Sequence, residues 1–316
     1  MFSFKAKQQS LVAVVPGPMG IAMAAVRDKG DKPRLERCDF IPWDDAQPND
    51  KLLAQTAKRL NLGKRPCTTL LDIGEYTVLN VDAPDVPPEE LRAAIRWQIK
   101  DLIDFHIDDA VVDIFDAPGN AAQGRQKSLY VVVSRTSIVR EHVAQLQDAE
   151  LNLEVIDVPE LVLRNITARL PEDEGGVGFI YLARERGLLV VTRQSTLYFA
   201  RTLELGADFL RQAGEDSGGL SLQGNAGFDR LVLEVQRSLD YYDRYFGQPP
   251  VAGLVIAPTE EPLPGLEDYL HDALGLAVRT LDLNEIVASD TPLDMRQQAR
   301  CLPAIGAALR QEAASL

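Results

Sequence analysis

Three short apolar runs separated by turn residues open the chain. SLVAVV (10–15) is dense in valine, PGP breaks it, and MGIAMAAV (19–26) resumes it. DKGDK turns the chain again before PRLERCDF, so this opening predicts three strands in a meander. DKLLAQTAKRLNLG (50–63) then changes to helical spacing and is expected to stop at Gly63. A related order returns after residue 175, where GVGFIYLA, LLVVTR and TLYFARTLEL read as strands joined by the turns RERG and QS. A helix starts at Ala207, and a polar Gly/Ser-rich loop covers 214–227. In the next segment Phe228, Leu231, Val232, Val235, Leu239, Tyr242, Tyr245 and Phe246 share one helical face. VAGLVIA (251–257) reads as a buried strand, LPGLEDYLHDALG as a helix and LAVRTLDL as a strand.

Between these runs lie strand 127–134, helix 136–150, strand 153–158 and helix 159–170, and PEDEGG (171–176) is the expected junction. The pattern predicts two related α/β domains, 1–172 and 173–316, rather than one long sheet. The C-terminal helix, 295–314, is placed to pack back on the first domain.

Pro84 to Pro118 interrupts the first half with a helix, a turn and a strand. Pro88 suits a first helical turn, where no backbone donor is missed, and Glu89 and Glu90 suit its positive end. Leu91, Ala94, Ile95, Ile99, Leu102 and Ile103 keep helical spacing on one face, and Trp97 falls off it. Arg92, Arg96 and Lys100 form a basic stripe at intervals of four. An ordinary amphipathic helix covering its own domain accounts for the same spacing.

Charge narrows the functions. A net charge of −14 argues against nonspecific nucleic-acid binding and against an electrostatic grip on anionic lipid. Cys38, Cys67 and Cys301 are far apart and in no CxxC pattern, which suits a reducing compartment. His106, His142 and His271 lack ligand spacing, so no metal is expected. No apolar run reaches the ~18 residues of a membrane span, and MFSFKAKQQS has no signal-peptide character. A cytosolic protein is expected, one that reaches a membrane only through a partner. GxSxG and HExxH are absent.

Five pieces, taken in order, carry a family resemblance: PPEELRAAIRWQIKDLIDF with DDAVVDIFDAP, LEVIDVPELVLRN, VLEVQRSLDYYDRYFG, LPGLEDYLHDALGLAV and CLPAIGAALR. The chain resembles the PilM family, the cytosolic actin-like proteins of type IV pilus assembly, and within it the MSHA-pilus branch (MshI). The resemblance implies an actin-like ATPase (ribonuclease H-like) fold, with a small subdomain inserted at about 80–134. It also implies capture of the N-terminal cytoplasmic tail of an inner-membrane protein of the PilN/MshJ type, in a groove beside that subdomain. Arg92, Ile95, Arg96, Ile99 and Phe105 are the candidate partner-binding residues. The pilus assembly ATPase is a further candidate partner. Net acidity suits a tail bearing lysine or arginine, whereas the local stripe is basic, so the two charge cues oppose each other.

The family's nucleotide site uses Asp-x-Gly-Ser/Thr in the turn of each opening hairpin, and a later Gly-rich loop against the adenosine. Here the first turn reads Val15-Pro16-Gly17-Pro18, with Val15 for the Asp and Pro18 for the hydroxyl. Pro16 and Pro18 also remove backbone donors that phosphate would need. The second turn places Tyr181 at the Asp position and Ala183 at the Gly position, followed by Arg184. The third reads Ala257-Pro258-Thr259-Glu260-Glu261 and keeps Gly265. A like-charge contact with phosphate at ~5 Å costs about 3 kcal/mol at an effective dielectric of about 20, unless metal or arginine compensates. Arg184 is one candidate for that compensation. The expectation is a degenerate site without cofactor in a non-enzymatic scaffold; an ATPase or kinase-like enzyme using Mg-ATP is the alternative. Asp72-Ile73-Gly74 contains Asp-x-Gly but lies where the subdomain begins and reads as a β-turn.

Overall fold

A computed structural model describes residues 11–27, 32–43, 49–118, 127–216 and 226–310. The opening runs form β1 (Val12–Gly17), β2 (Gly20–Arg27) and β3 (Arg34–Pro42), paired antiparallel in sequence order. In α1 (Asp50–Arg59) the Asn49 side chain accepts from the amides of Lys51 and Leu52 at 3.1 and 3.2 Å. That helix does not run to Gly63. Leu60 caps it and Asn61 takes the left-handed turn at φ 53°, so the asparagine does the work expected of glycine. β4 (Pro66–Leu70) lies parallel to β1.

The inserted segment is β5 (Tyr76–Asp82), α2 (Pro88–Ile99), β6 (Ala110–Asp116) and β7 (Ser128–Arg135), its sheet ordered β5-β7-β6. Then come α3 (Thr136–Asp148), β8 (Asn152–Asp157) and α4 (Pro159–Thr167), which close a first sheet ordered β3-β2-β1-β4-β8. The second half gives β9 (Val177–Leu182), β10 (Gly187–Arg193), β11 (Thr196–Leu203), α5 (Ala207–Asp216), α6 (Ala226–Phe246) and β12 (Gly253–Ile256). It ends with α7 (Leu266–Leu274), β13 (Val278–Thr280), α8 (Leu283–Ile286) and α9 (Met295–Ala308). The second sheet, β11-β10-β9-β12-β13, repeats the connectivity of the first. LAVRTLDL is strand over only three residues, because β13 pairs with β12 at Val278, Arg279 and Thr280 alone. The C-terminal helix ends at Ala308, capped by Leu309, short of the expected 314, and the 214–227 loop is narrower than expected because α5 runs to Asp216 and α6 begins at Ala226; residues 217–225 and 311–316 lie outside the described residues.

The two sheets exchange helices. α4 belongs to the first half but packs on β9, β10 and β11, while α9 comes from the chain's end and packs across β1–β4. The helices meet at Gly306, where a Cβ would lie 2.6 Å from the Val162 Cγ1 and 2.8 Å from the Val162 carbonyl oxygen. Only glycine lets them approach this closely. Asn165 Nδ2 donates to the Gly306 carbonyl across the contact at 3.0 Å. One apolar core therefore spans both halves, with Val15, Phe179, Ile166 and Ile305 in the same cluster.

The subdomain has a separate core of Val81, Ile95, Ile99, Leu129, Val131 and Val133. Ile95 and Ile99 are each 0% exposed, and burying one such side chain stabilises by about 1.5–3 kcal/mol. Leu102, expected on the same face, is 59% exposed, because α2 ends at Ile99 and the chain leaves helical phase.

Candidate functional site: an interdomain cleft and groove

Two open sheet edges face each other across the molecule. Among the described residues β5 pairs only with β7, and β11 only with β10. A cavity of about 470 Å³ lies between them, lined from β5 by Thr77, Val78 and Asn80 and from β11 by Leu197, Phe199 and Arg201. The alternation of strand side chains puts Phe199 and Arg201 on one face with their ladder partners Val191 and Leu189, while Leu197, beyond the bulge, belongs to the core on the other face. Aromatic rings of α6 finish the cavity wall: Tyr241 lies 5.3 Å from Phe199 and stacks on Tyr245 at 5.1 Å. Opposite Val191 and Thr192 a bulge leaves Tyr198 unmatched in the ladder. Its carbonyl accepts the Tyr130 hydroxyl at 2.5 Å, joining the subdomain to the second domain.

Glu160, in the first turn of α4, forms part of the cavity floor. It is 3% exposed and accepts the Tyr76 hydroxyl at 2.6 Å. Burial, reinforced by the charge of Asp157, pushes its carboxyl up to about 6 against the pull of the Tyr76 hydrogen bond. Burial and then Glu160 hold the Tyr76 phenol well above its ordinary value. Asp157 is also raised by burial, but Arg310 pairs with it at 2.5 Å and opposes the rise.

The Asp72-Ile73-Gly74 segment is the turn that leads into β5. Glu75 N–H donates to the Asp72 carbonyl at 3.0 Å, and Gly74 sits at φ 106°, outside the range of ordinary side chains. The Arg186 guanidinium lies over Gly74, where a Cβ would meet it at 2.5 Å. Glu75 pairs with His142 at 2.8 Å. That bond raises the imidazole, and although burial works against Glu75, the same bond takes its carboxyl below the usual range. Asp72 is exposed, yet partial desolvation and then Glu75 push it up to about 6.

The three nucleotide-loop segments of the family plan converge on the central cleft. Gly17 ends β1 in the first hairpin, where its carbonyl accepts Trp43 Nε1–H at 2.6 Å. Arg184, in the second hairpin turn, touches the Met19 sulfur of the first at 3.0 Å. Burial, then Asp72 and Glu260, push the Tyr181 phenol up to about 12. Ala257 N–H donates to the Ile180 carbonyl at 2.8 Å, Pro258 and Thr259 follow, and Gly265 caps α7 at φ 78°. Each glutamate of the third loop has its own arginine: Glu260 with Arg300 at 2.9 Å and Glu261 with Arg211 at 2.5 Å. Arg211 and Arg184 both contact Asp208, at 3.3 and 3.1 Å. Ion pairs thus tie the second and third of these segments to α5 and α9.

The five candidate partner residues do not form one surface. Ile95 and Ile99 are inside the subdomain. Arg96 turns inward and donates to the carbonyls of Ala110 at 3.0 Å and Ile107 at 2.5 Å. Phe105 packs against the subdomain core, with the Arg135 guanidinium 4.2 Å from its ring centroid. Arg92 is exposed and pairs with Asp113 at 3.2 Å. Trp97, 72% exposed with Lys100 Nζ at 3.9 Å over its ring, stands on the outer face. Sequence reasoning missed the cavity and Glu160. The one available signal was a carboxylate directly after Pro159, at the start of an otherwise apolar helix.

Residues 77–224, just under half of the chain, match the family model described as type IV pilus assembly protein PilM. No curated protein matches. Among solved structures, a PilM-PilN type IV pilus biogenesis complex aligns with a TM-score of 0.74 and 24% identity, covering 95% of this chain and 98% of that one. A Bacteroides thetaiotaomicron protein with actin-like ATPase fold and unknown function aligns with a TM-score of 0.50 and 9% identity, over 95% and 98% of the two chains. The cytoplasmic domain of EpsL, an inner-membrane component of the Vibrio cholerae type II secretion system, is 10% identical, with a TM-score of 0.49 and 96% of each chain covered. The fold is the actin-like ATPase fold, with two related α/β domains. No helix among the described residues is long and apolar enough to cross a membrane.

Proposed function

We propose that this chain is a PilM-like scaffold of type IV pilus assembly, of the MSHA type (MshI), acting at the cytoplasmic face of the inner membrane. It holds the N-terminal cytoplasmic tail of a PilN/MshJ-type protein, and its nucleotide site is degenerate. The tail lies in the groove between β5 and β11, not on the outer face of α2. The carrying observation is the aromatic-walled cavity between two open sheet edges, whose lining from Thr77 to Glu204 falls inside the stretch that matches the PilM family model, with Tyr241 and Phe246 beyond it. An open edge offers main-chain hydrogen bonds to an extended peptide, and alternate side-chain pockets give selectivity. Arg92, Ile95, Arg96, Ile99 and Phe105 support this role by holding the subdomain that carries β5. The pilus assembly ATPase stays a candidate second partner, with the exposed Trp97 face as its candidate surface.

The degenerate-site reading is supported by proline and valine in the first turn and by the arginine partners of Glu260 and Glu261. The test is calorimetric titration with a synthetic PilN/MshJ-type tail peptide. Phe199→Ala and Tyr241→Ala are expected to weaken binding at least tenfold each while circular dichroism is unchanged, as aromatic anchors do. Equal affinity in all three proteins would remove the groove from the reading.

A further inference from the structure

The cavity between β5 and β11 has a charge balance that does not close. Four charged side chains line it: Glu160, Arg186, Arg201 and Glu204. Arg186 pairs with Glu204 at 3.5 Å. Arg201 lies 3.8 Å from Glu234 and donates to Ser238 Oγ at 3.2 Å. Glu160 is left over. Among the described residues no cation pairs with it, and its contact is the neutral Tyr76 hydroxyl. Its neighbour Asp157 has Arg310, so the missing cation is specific to the carboxylate that faces the cavity. A buried carboxylate without a counter-charge costs free energy unless something brings one.

We propose that the cavity is a receptor for an organic cation, the lysine or arginine side chain of the bound tail, with Glu160 as its counter-charge and the Phe199 and Tyr241 rings around its aliphatic stem. This rests on the groove assignment above and gives it a chemistry. The walls suit a long side chain with an apolar stem and a charged head, as lysine and arginine present. The volume lies within the ordinary range of ligand cavities, roughly 300–1,000 Å³. Arg186 and Arg201 do not repel such a head strongly, because each is already matched by its own carboxylate. Binding needs the ionised form of Glu160. The groups beside it are Tyr76 from β5 and Asp157 from the end of β8, the latter acted on by Arg310 and Arg164; Arg186, over the Gly74 turn, and Glu204 share the cavity lining.

The test uses the full chain and two probes, phenethylammonium chloride and its neutral analogue phenethyl alcohol, followed by calorimetry or NMR. The ammonium is expected to bind roughly tenfold more tightly than the alcohol at about pH 7.5, the worth of one charge-assisted hydrogen bond. That preference disappears in Glu160→Gln, whose amide oxygen still accepts the Tyr76 hydroxyl. In the wild type it fades as pH falls through about 6. In parallel, a tail peptide whose lysines and arginines are replaced by norleucine loses affinity for the wild type but not for Glu160→Gln. Equal binding of ammonium and alcohol in the wild type overturns the cation site whether or not the tail binds. A tail that fails to bind while the ammonium preference holds removes the partner reading and leaves the cation site standing.

Discussion

Glu160→Gln is expected to make the free protein more stable at neutral pH. The folded carboxyl titrates at about 6, against 4.5 for the ordinary side chain. At 1.36 kcal/mol per pH unit, that gap is a cost of about 2 kcal/mol once the group is ionised. The folded state holds its proton more tightly than the unfolded chain. Stability from this group is therefore complete below about pH 4.5 and lost as pH rises through about 6, then constant above. Glutamine carries no charge and keeps the Tyr76 hydrogen bond, so the variant gains about 1–2 kcal/mol at pH 7.5 and close to nothing at pH 4. In a chain of this length, paired thermal melts should show a difference of about 2–3 °C at the higher pH. The His142–Glu75 pair also titrates as the protein unfolds, with the imidazole raised, but it is common to both proteins and cancels in the difference. A variant less stable at pH 7.5, or one equally shifted at both pH values, would show that the free protein already satisfies the Glu160 charge, and the case for a cation receptor would fail with it.

Ile99→Asp places a carboxylate in the subdomain core beside Val131 and Val133 and should cost about 3–5 kcal/mol, read as lost hydrogen-exchange protection over β5–β7. Protection equal to wild type would contradict the position of α2. Gly306→Ala drives a methyl into Val162 and should destabilise the whole chain by about 1–3 kcal/mol in urea unfolding, whereas Ala307→Gly only loses packing. Titration with Mg-ATP should give no heat at hundreds of micromolar; micromolar binding would show that the internal ion pairs at Glu260 and Glu261 open for a nucleotide.

Local pattern revealed much of the architecture. Valine-rich runs and their turns identify the two meanders, and helical spacing puts Trp97 outside and Ile95 and Ile99 inside before any coordinates. What pattern could not supply is the far partner of a polar group. Arg96 reads as one step of a basic stripe, yet its guanidinium is taken up by the carbonyls of Ile107 and Ala110 beyond the following turn. Glu260 and Glu261 read as a bare acidic pair, and their arginines come from α9 and α5. The cavity was not legible, because its walls come from β5, β7, α4, β11 and α6 and exist only when the two halves and the subdomain meet. The stop at Asn61 rather than Gly63 is smaller in kind: two residues able to turn left-handed stand close together, and the first was used.

The exchange of α4 and α9 sets an order on synthesis. The sheet β3-β2-β1-β4-β8 is complete as sequence by Asp157, yet the helix that covers β1–β4 begins only at Met295. At a translation rate of roughly 5–20 residues per second, that face waits on the order of 10 s or more before its cover exists. Throughout that interval Val15, Ala22, Ala24 and Leu35 present an apolar surface to water, and a chain cut short there leaves its first domain as unfinished as its second.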